Sequence, residues 1–502
     1  MRHPYMAPVV TNRRLTAPDH FQQEVRHLSL DVSGMPTRGG MPGGGRLLYC
    51  AGDVAHVLPS NPPGAVDAFA RSVLPKLGLE DLVHISPAGP GAGPGAGAVA
   101  EHGEGGGVGR GGGGGGAEDN CNGLAQGESA AAVVGGGNAC PPPRKLPRVC
   151  RVGGLLRSHL DIMGTPRRRF FEQASLFASD PDERDKLREL ASPDGADLLY
   201  EYATREKRTY GEVFSDFPSC RPPLDRLLEM IPCLRTRAFS ITSSCEETPG
   251  RLDICVGVVS FRTHYKRWRT GLCSSWLADH GACSEEAPAK AFDVVPVWIR
   301  RGTFRLPVGL GVPVVMVGPG TGVAPMRSIV RERRALRRRR RQRGRGQEGE
   351  GAGGGGGGGE PEGTEQTCVG GGRTHTHART HAHLHRYRDK DFLYGDESSV
   401  RRGGGGLSLH AAFSRQETDP VGGGKMYVQH RIRQQARGLG RAIVEQGGHV
   451  LVSGSAKQMP TDVRKAFADV LAGHPEVGGA PGAESLLRSL ERKGRYIVEA
   501  WS

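Results

Sequence analysis

Apolar and polar positions change period several times along the chain. Val25-Arg26-His27-Leu28-Ser29-Leu30-Asp31-Val32 alternates roughly as a half-buried strand does, and residues 54–58 predict a second strand just after Gly52-Asp53. Residues 66–79 have helical spacing. From about 86 to 147 the chain is rich in Gly, Ala and Pro and nearly lacks large apolar side chains, so disorder is expected there. Helical periodicity follows over 156–232, carried by Phe170, Phe171, Ala174 and Phe177, then Leu187 and Leu190, then Leu198, Leu199 and Tyr202. Between 237 and about 308 the texture is strand-like, most clearly at 252–259. An α/β pattern starts at Val312. Low-complexity sequence interrupts it at about 334–386 and again at 398–406. It resumes at Phe413 with a helix near 426–443, a strand at 450–452 and a helix near 460–471.

Three places carry chemistry. Val314-Val315-Met316-Val317 runs into Gly318-Pro319-Gly320-Thr321-Gly322-Val323-Ala324-Pro325, a buried strand followed by a glycine-dense turn and a helix start. Such a turn brings backbone N–H groups and a positive helix end to a phosphate, which implies a nucleotide. Arg237-Ala238-Phe239-Ser240 opens the strand-rich part, with Arg237 and Phe239 on one face and Ser240 on the other. A guanidinium for pyrophosphate, a ring and a hydroxyl suit a flavin, and an ordinary strand with a surface arginine remains the alternative. Gly271-Leu272-Cys273-Ser274 reads as a second phosphate cradle or as a plain N-capped helix.

Composition narrows the function classes. The formal net charge is +14 over 502 residues, but residues 331–346 hold ten arginines and one glutamate, a net of +9 in one segment. This predicts a solvated charge run, with nucleic-acid binding as the other reading. Eleven cysteines with no Cys-x-x-Cys fit reduced thiols better than a disulfide framework or a zinc site. Histidines 375, 377, 381, 383 and 385 lie in an alternating Thr/Ala/Arg stretch and read as low complexity, so no metal site is expected. The first fifteen residues have no apolar core and predict no signal peptide, and no apolar run approaches the ~20 residues that span a bilayer. A soluble cytoplasmic protein is the expectation.

The order of these pieces resembles the diflavin reductase family. Asn12-Arg13-Arg14-Leu15-Thr16 and His20-Phe21-Gln22 resemble its opening, followed by Gly52-Asp53 with Pro59-Ser60-Asn61. Leu160-Asp161-Ile162 and Pro166-Arg167-Arg168-Arg169-Phe170-Phe171 come next, then the two flavin motifs and the glycine turn with Met326-Arg327-Ser328. Asp391-Phe392-Leu393-Tyr394, Phe413-Ser414-Arg415, Tyr427-Val428-Gln429, Gly454-Ser455-Ala456-Lys457 and the terminal Trp501-Ser502 complete the series. The wording looks most like the NADPH-dependent branch of cytosolic iron–sulfur cluster assembly.

The resemblance implies an α+β and α/β architecture: an antiparallel FAD-binding barrel with a helical connecting region, then a ferredoxin–NADP reductase-like parallel-sheet NADPH domain. On that pattern 1–86 is the first part of the barrel, 87–150 a disordered Gly-rich insert, 151–236 the connecting region, 237–310 the second part of the barrel, and 311–502 the NADPH domain with its insert at 334–386. It implies that Arg237 pairs the FAD pyrophosphate, Phe239 lies against the flavin, Ser240 sits near flavin N5, and Gly271, Leu272, Cys273 and Ser274 cradle the phosphates. Gly320, Thr321 and Gly322 would approach the NADPH pyrophosphate. Ser414, Arg415, Lys425 and Tyr427 would form the pocket for the adenosine 2′-phosphate, with Gln429 also binding NADPH. Trp501 would stack on the isoalloxazine and Glu499 would help the transfer geometry. The implied partner is a redox protein acceptor, an iron–sulfur protein of cytosolic cluster assembly, with neither membrane nor nucleic acid. A stand-alone FAD reductase for a separate flavodoxin or ferredoxin, or an inactive scaffold with a basic nucleic-acid-binding insert, are the alternatives.

Three departures qualify these expectations. The family's flavodoxin-like FMN domain would precede Met1, so FMN is expected only if such a domain is supplied elsewhere. The strand expected just before Asp391 is replaced by the His/Arg stretch, which predicts a sheet lacking an inner strand. Ser453 stands where many relatives have a cysteine.

Overall fold

The alternating run at Val25 becomes the second strand of a six-stranded antiparallel sheet. In the computed structural model, described at residues 3–36, 48–85, 98–100, 146–281, 294–307, 309–349, 380–385, 387–395, 397 and 408–501, the chain divides into two compact units. At 98–100, 343–349 and 380–385 the description is of the backbone alone. One unit comprises Met1–Ser60 with Thr236–Ser502, the other Asn61–Arg235. Residues 61–86, read above with the first strands, fall in the second unit. Most of the stretch read as disordered, 86–97 and 101–145, lies outside the described residues.

The antiparallel sheet is built from β1 (Tyr5–Arg14), β2 (Glu24–Asp31), β3 (Val54–Val57), β4 (Arg237–Ser240), β5 (Arg251–Val258) and β6 (Val294–Arg300), in the order β4-β3-β6-β1-β2-β5. β2 and β5 pair over eight residues, from Glu24 opposite Val258 to Asp31 opposite Arg251. Period two divides their side chains. Leu28, Leu30, Leu252, Ile254 and Val256 face one core, whereas Val25 and Cys255 face a second cluster with Val323, Ala324, Leu393 and Tyr394. The two edge strands meet where Ile241, just past β4, bridges to Ile254.

The parallel sheet contains β7 (Val314–Val317), β8 (Thr380–His385), β9 (Ser408–Phe413), β10 (His449–Ser455) and β11 (Tyr496–Trp501), in the order β9-β8-β7-β10-β11. All four residues of β7 are buried because both faces of the strand are covered. Val315 and Val317 meet helices on one side, including Val428–Gln434, Ala436–Val444, Met459–Ala472 and Gly479–Arg492; Val314 and Met316 meet Met326 and Ile329 on the other. Each such apolar side chain contributes roughly 1.5–3 kcal/mol on burial. The expected gap in this sheet is not there. The His/Arg stretch itself supplies β8, which pairs in parallel with β7 through Met316–His381 and with β9 along six residues. A flanked inner position selects strand from a sequence whose His/Ala/His/Leu/His alternation already has period two.

The boundary at 334 also has to be revised. Helix Val323–Gly349 carries on through the arginine run. Arg331 pairs with Glu247 and Arg339 with Glu246 at 3.2 Å, while Arg333 donates to the carbonyls of Leu310 and Val312 at 2.7 and 2.8 Å. These arginines anchor the helix instead of forming a purely solvated run.

The second unit is mainly helical, with a small three-stranded sheet centred on Leu82–Ile85. Its core includes Phe69, Leu155, Leu160, Phe171 and Leu227, and Phe170 meets Tyr210 edge to face with centroids 4.9 Å apart.

Candidate functional site

The turn after β7 is shaped by two crowded glycines and one open one. A Cβ on Gly322 would lie 2.1 Å from the carbonyl oxygen of Ser453, and one on Gly318 would lie 2.5 Å from that of Gly322. Both positions are closed by backbone. Gly320, by contrast, has φ +56° and, among the described residues, no atom within 4 Å of its notional Cβ. The exposed approach to the turn is therefore over Gly320 and Thr321. Residues Gly320–Gly322 form a short 3-10 turn and the long helix begins at Val323, with Pro325 in its first turn. From β7 the chain moves outward to β8 and β9, then returns to add β10 and β11 on the other side. The turn thus stands at the topological switch point, where the carboxyl ends of open α/β sheets take ligands.

The other expected nucleotide residues share that edge. Ser414 and Arg415 follow β9, Ser414 buried and Arg415 exposed. A hairpin then folds back, with Thr418 bridging Lys425 and Met426 N–H donating to Glu417 O at 3.1 Å. It returns exposed Lys425 opposite Thr418, three residues after Arg415, and leads to Tyr427 at the cap of Val428–Gln434; Gln429 is in the first turn of that helix.

On the antiparallel sheet, Arg237 is exposed at the start of β4 opposite Val57, and half-buried Ser240 lies opposite Val54. Half-buried Phe239 packs against the core cluster of the antiparallel sheet. Gly271 caps helix Leu272–Asp279, and its notional Cβ would lie 2.8 Å from Ser274 Oγ. The Ser274 hydroxyl is committed internally, accepting Val259 N–H at 3.0 Å and donating to Gly271 O at 3.2 Å. Burial pushes the Cys273 thiol up to about 12, opposed by the positive charge of Arg237. The adjacent Ser275 hydroxyl is buried with no hydrogen-bond partner among the described residues. A guanidinium, a helix N-terminus and an orphaned hydroxyl fit a pyrophosphate such as that of FAD.

Glu499 on β11 lies opposite Ser453 on β10, the residue whose carbonyl abuts Gly322. Thr303 donates to its carboxylate from N–H at 3.1 Å and also from its hydroxyl. Burial raises the carboxyl's pKa, against these hydrogen bonds. The Ser453 hydroxyl is buried without a partner among the described residues. The path from Glu499 to Ser240 runs through Thr303, then Gly302, whose N–H donates to Asp53 Oδ1 at 3.2 Å, then Asp53 O, which accepts Ile241 N–H at 3.2 Å. Glu499, Ser453 and Gly322 thus converge, while Ser240 sits one step away across Asp53. Trp501 is 41% exposed at the end of β11, opposite Ser455. Thr303 carries no periodic or motif signal of this role, and Asp53 is marked in the sequence only by the Gly52-Asp53 pair.

The same region contains a titratable contact. Glu332, 8% exposed, accepts Ala51 N–H at 2.7 Å and lines a cavity of about 450 Å³ with Tyr49, Asp53, Arg300 and Phe304. Burial pushes its carboxyl up to about 7. A folded-state pKa above the unfolded value makes the contribution largest in acid and loses it as pH rises through about 7. Between pH 6 and 8 the loss should be about 1 kcal/mol, or about 1–2 °C in Tm for a unit of this size. Melting curves of Glu332→Gln should lack that part of the slope; an identical slope in both proteins would refute the assignment.

Comparison with known proteins agrees with the geometry. The family described as FAD binding domain matches residues 140–276. NADPH-dependent diflavin oxidoreductase 1 of Danio rerio is 31% identical over 99% of this chain and 66% of its own length, and that of Bos taurus is 32% identical over 99% and 65%. NADPH–cytochrome P450 reductase of Oryctolagus cuniculus is 32% identical over 69% of this chain and 45% of its own length. The chain thus spans just under two-thirds of the length of the diflavin relatives. No described helix is long and apolar enough to cross a membrane.

Proposed function

The chain belongs to the NADPH-dependent diflavin oxidoreductase family, and from that premise we propose that it takes a hydride from NADPH onto FAD and passes electrons on to a redox protein. The observation that carries this reading is the convergence of Gly320, Gly322, Ser453 and Glu499 at the switch point of the parallel sheet, with the β4 strand of Arg237 and Ser240 one contact away through Asp53. FAD, when bound, supplies a ring that accepts two electrons as hydride and releases them singly.

The chain's own residues bind and orient. Arg237 and the amides at the start of Leu272–Asp279 hold the flavin pyrophosphate, with Phe239 against the ring system and the Ser240 hydroxyl at its edge. The phosphates of the nicotinamide cofactor lie over Gly320 and Thr321, and Ser414, Arg415, Lys425, Tyr427 and Gln429 recognise its 2′-phosphate side. Glu499, held by Thr303, fixes the reacting face, and Trp501 covers the ring until nicotinamide displaces it. A closed antiparallel barrel, an iron–sulfur protein of cytosolic cluster assembly as acceptor, FMN on a flavodoxin-like partner domain and a cytoplasmic location complete the proposal.

Purified protein should be yellow, release FAD on denaturation and bleach on anaerobic addition of NADPH. A colourless protein, or a flavin that NADPH leaves oxidised while dithionite reduces it, would overturn the reading.

A further inference from the structure

Arg327 lies five residues beyond Gly322, in the helix that begins at Val323, and its side chain is only 8% exposed. Its Nη1 donates to Thr242 O at 3.0 Å and lies 3.5 Å from the Asp253 carboxylate. Nε and Nη2 donate to the two carboxylate oxygens of Glu397 at 3.0 and 2.7 Å, and the guanidinium sits 4.5 Å above the Tyr394 ring. Ser328, fully buried, donates to Ser243 O at 2.5 Å. Thr242 and Ser243 are the second and third residues after Ser240. Tyr394 has φ +56°, a strained conformation for a bulky residue, and its hydroxyl lies 2.9 Å from His27 Nδ1.

We propose that Arg327 is a positioning residue for hydride transfer, fixing the separation between the strand that carries Ser240 and the turn that carries Gly320. The proposal rests on the reading of that strand as the flavin site and that turn as the nicotinamide-phosphate site. Five helical residues span about 7.5 Å and two strand residues about 6.6 Å, so this one side chain closes a short, stiff route between the two sites. A planar fork of five donors can serve a carbonyl and two carboxylates together, which an ammonium point charge cannot do with the same geometry. Glu397 and Tyr394 hold the fork from two sides, and the strained backbone at Tyr394 is retained where that packing requires it.

The test uses the full chain with Arg327→Lys and Glu397→Gln. Flavin content, Tm and affinity for 2′,5′-ADP are measured beside the anaerobic rate of flavin reduction by NADPH and its primary deuterium isotope effect. Both variants should keep flavin and 2′,5′-ADP affinity, while the reduction rate of Arg327→Lys falls by roughly ten- to hundredfold and the isotope effect grows. Glu397→Gln should fall between it and the wild type. Unchanged rates, or losses matched by lost flavin or lost 2′,5′-ADP binding, would overturn the proposal. If Arg327→Lys does not fold, Glu397→Gln and Ser328→Ala decide by the same criteria. A wild type that NADPH does not reduce refutes the proposed function; a reducible wild type with equally fast variants refutes only the role of Arg327.

Discussion

Alanine at Gly322 is expected to lower NADPH-dependent flavin reduction by about a thousandfold while leaving the flavin bound and reducible by dithionite. The added Cβ would lie 2.1 Å from the carbonyl oxygen of Ser453. That atom cannot yield cheaply, because Ser453 is inside β10, whose neighbouring Val452 pairs with Val317 and which itself pairs with Glu499. The turn must therefore move by about 1 Å, a displacement that can cost roughly a hundredfold in a positioned reaction. Losing one N–H contact to a phosphate adds roughly a further tenfold. The flavin motifs lie on the other sheet, so flavin content should stay near one per chain. Retained NADPH reduction in Gly322→Ala would show that the turn does not hold the cofactor. Loss of flavin would show that the two sheets do not act separately.

That argument turns on a distinction among glycines that their sequence pattern hides. All three of Gly318, Gly320 and Gly322 read as permitting close approach to a phosphate, yet two of them are required by backbone packed against backbone. The β2 alternation and the buried β7 run were legible because period two and an unbroken apolar run each have a direct structural meaning. The helix expected near 426–443 is instead two helices meeting at Gln435, a break that apolar spacing alone does not reveal. β8 carried a period-two signal that its histidine-rich composition disguised; pairing with β7 and β9 selected the strand. The arginine run is solvated only in part, exposed at 338–341 and anchored before that. Its charge suggests solvent, whereas Arg333 is buried against the carbonyls of Leu310 and Val312. Least legible are the contacts that join the sheets. Arg327, Asp253 and the neighbouring Tyr394 and Glu397 come from three places tens of residues apart, and each fits an ordinary exposed or half-buried position until the fold brings them together.

Replacing both Arg415 and Lys425 by alanine is expected to separate the two nicotinamide cofactors. A 2′-phosphate is close to dianionic at neutral pH, and each charge-assisted contact to it carries roughly a tenfold to hundredfold in affinity. Both side chains are exposed, one after β9 and the other on the returning limb of the Thr418–Lys425 hairpin, so solvent screens them and the lower half of that range applies to each. Together they should lower kcat/KM for NADPH by about two to three orders of magnitude. NADH lacks the phosphate, so its kcat/KM should change little. The rate with NADPH should also lose most of its dependence on ionic strength, since the charges that steer the anion are gone. The measurement is a paired titration with both cofactors at two salt concentrations. Parallel losses with NADPH and NADH would mean that the hairpin supports the fold and not the choice of cofactor. An unchanged preference would place phosphate recognition elsewhere on the carboxyl edge of the sheet. Because Ser414 is buried directly beside Arg415, the hairpin can lose its two cations without losing its attachment to β9, which makes the discrimination interpretable.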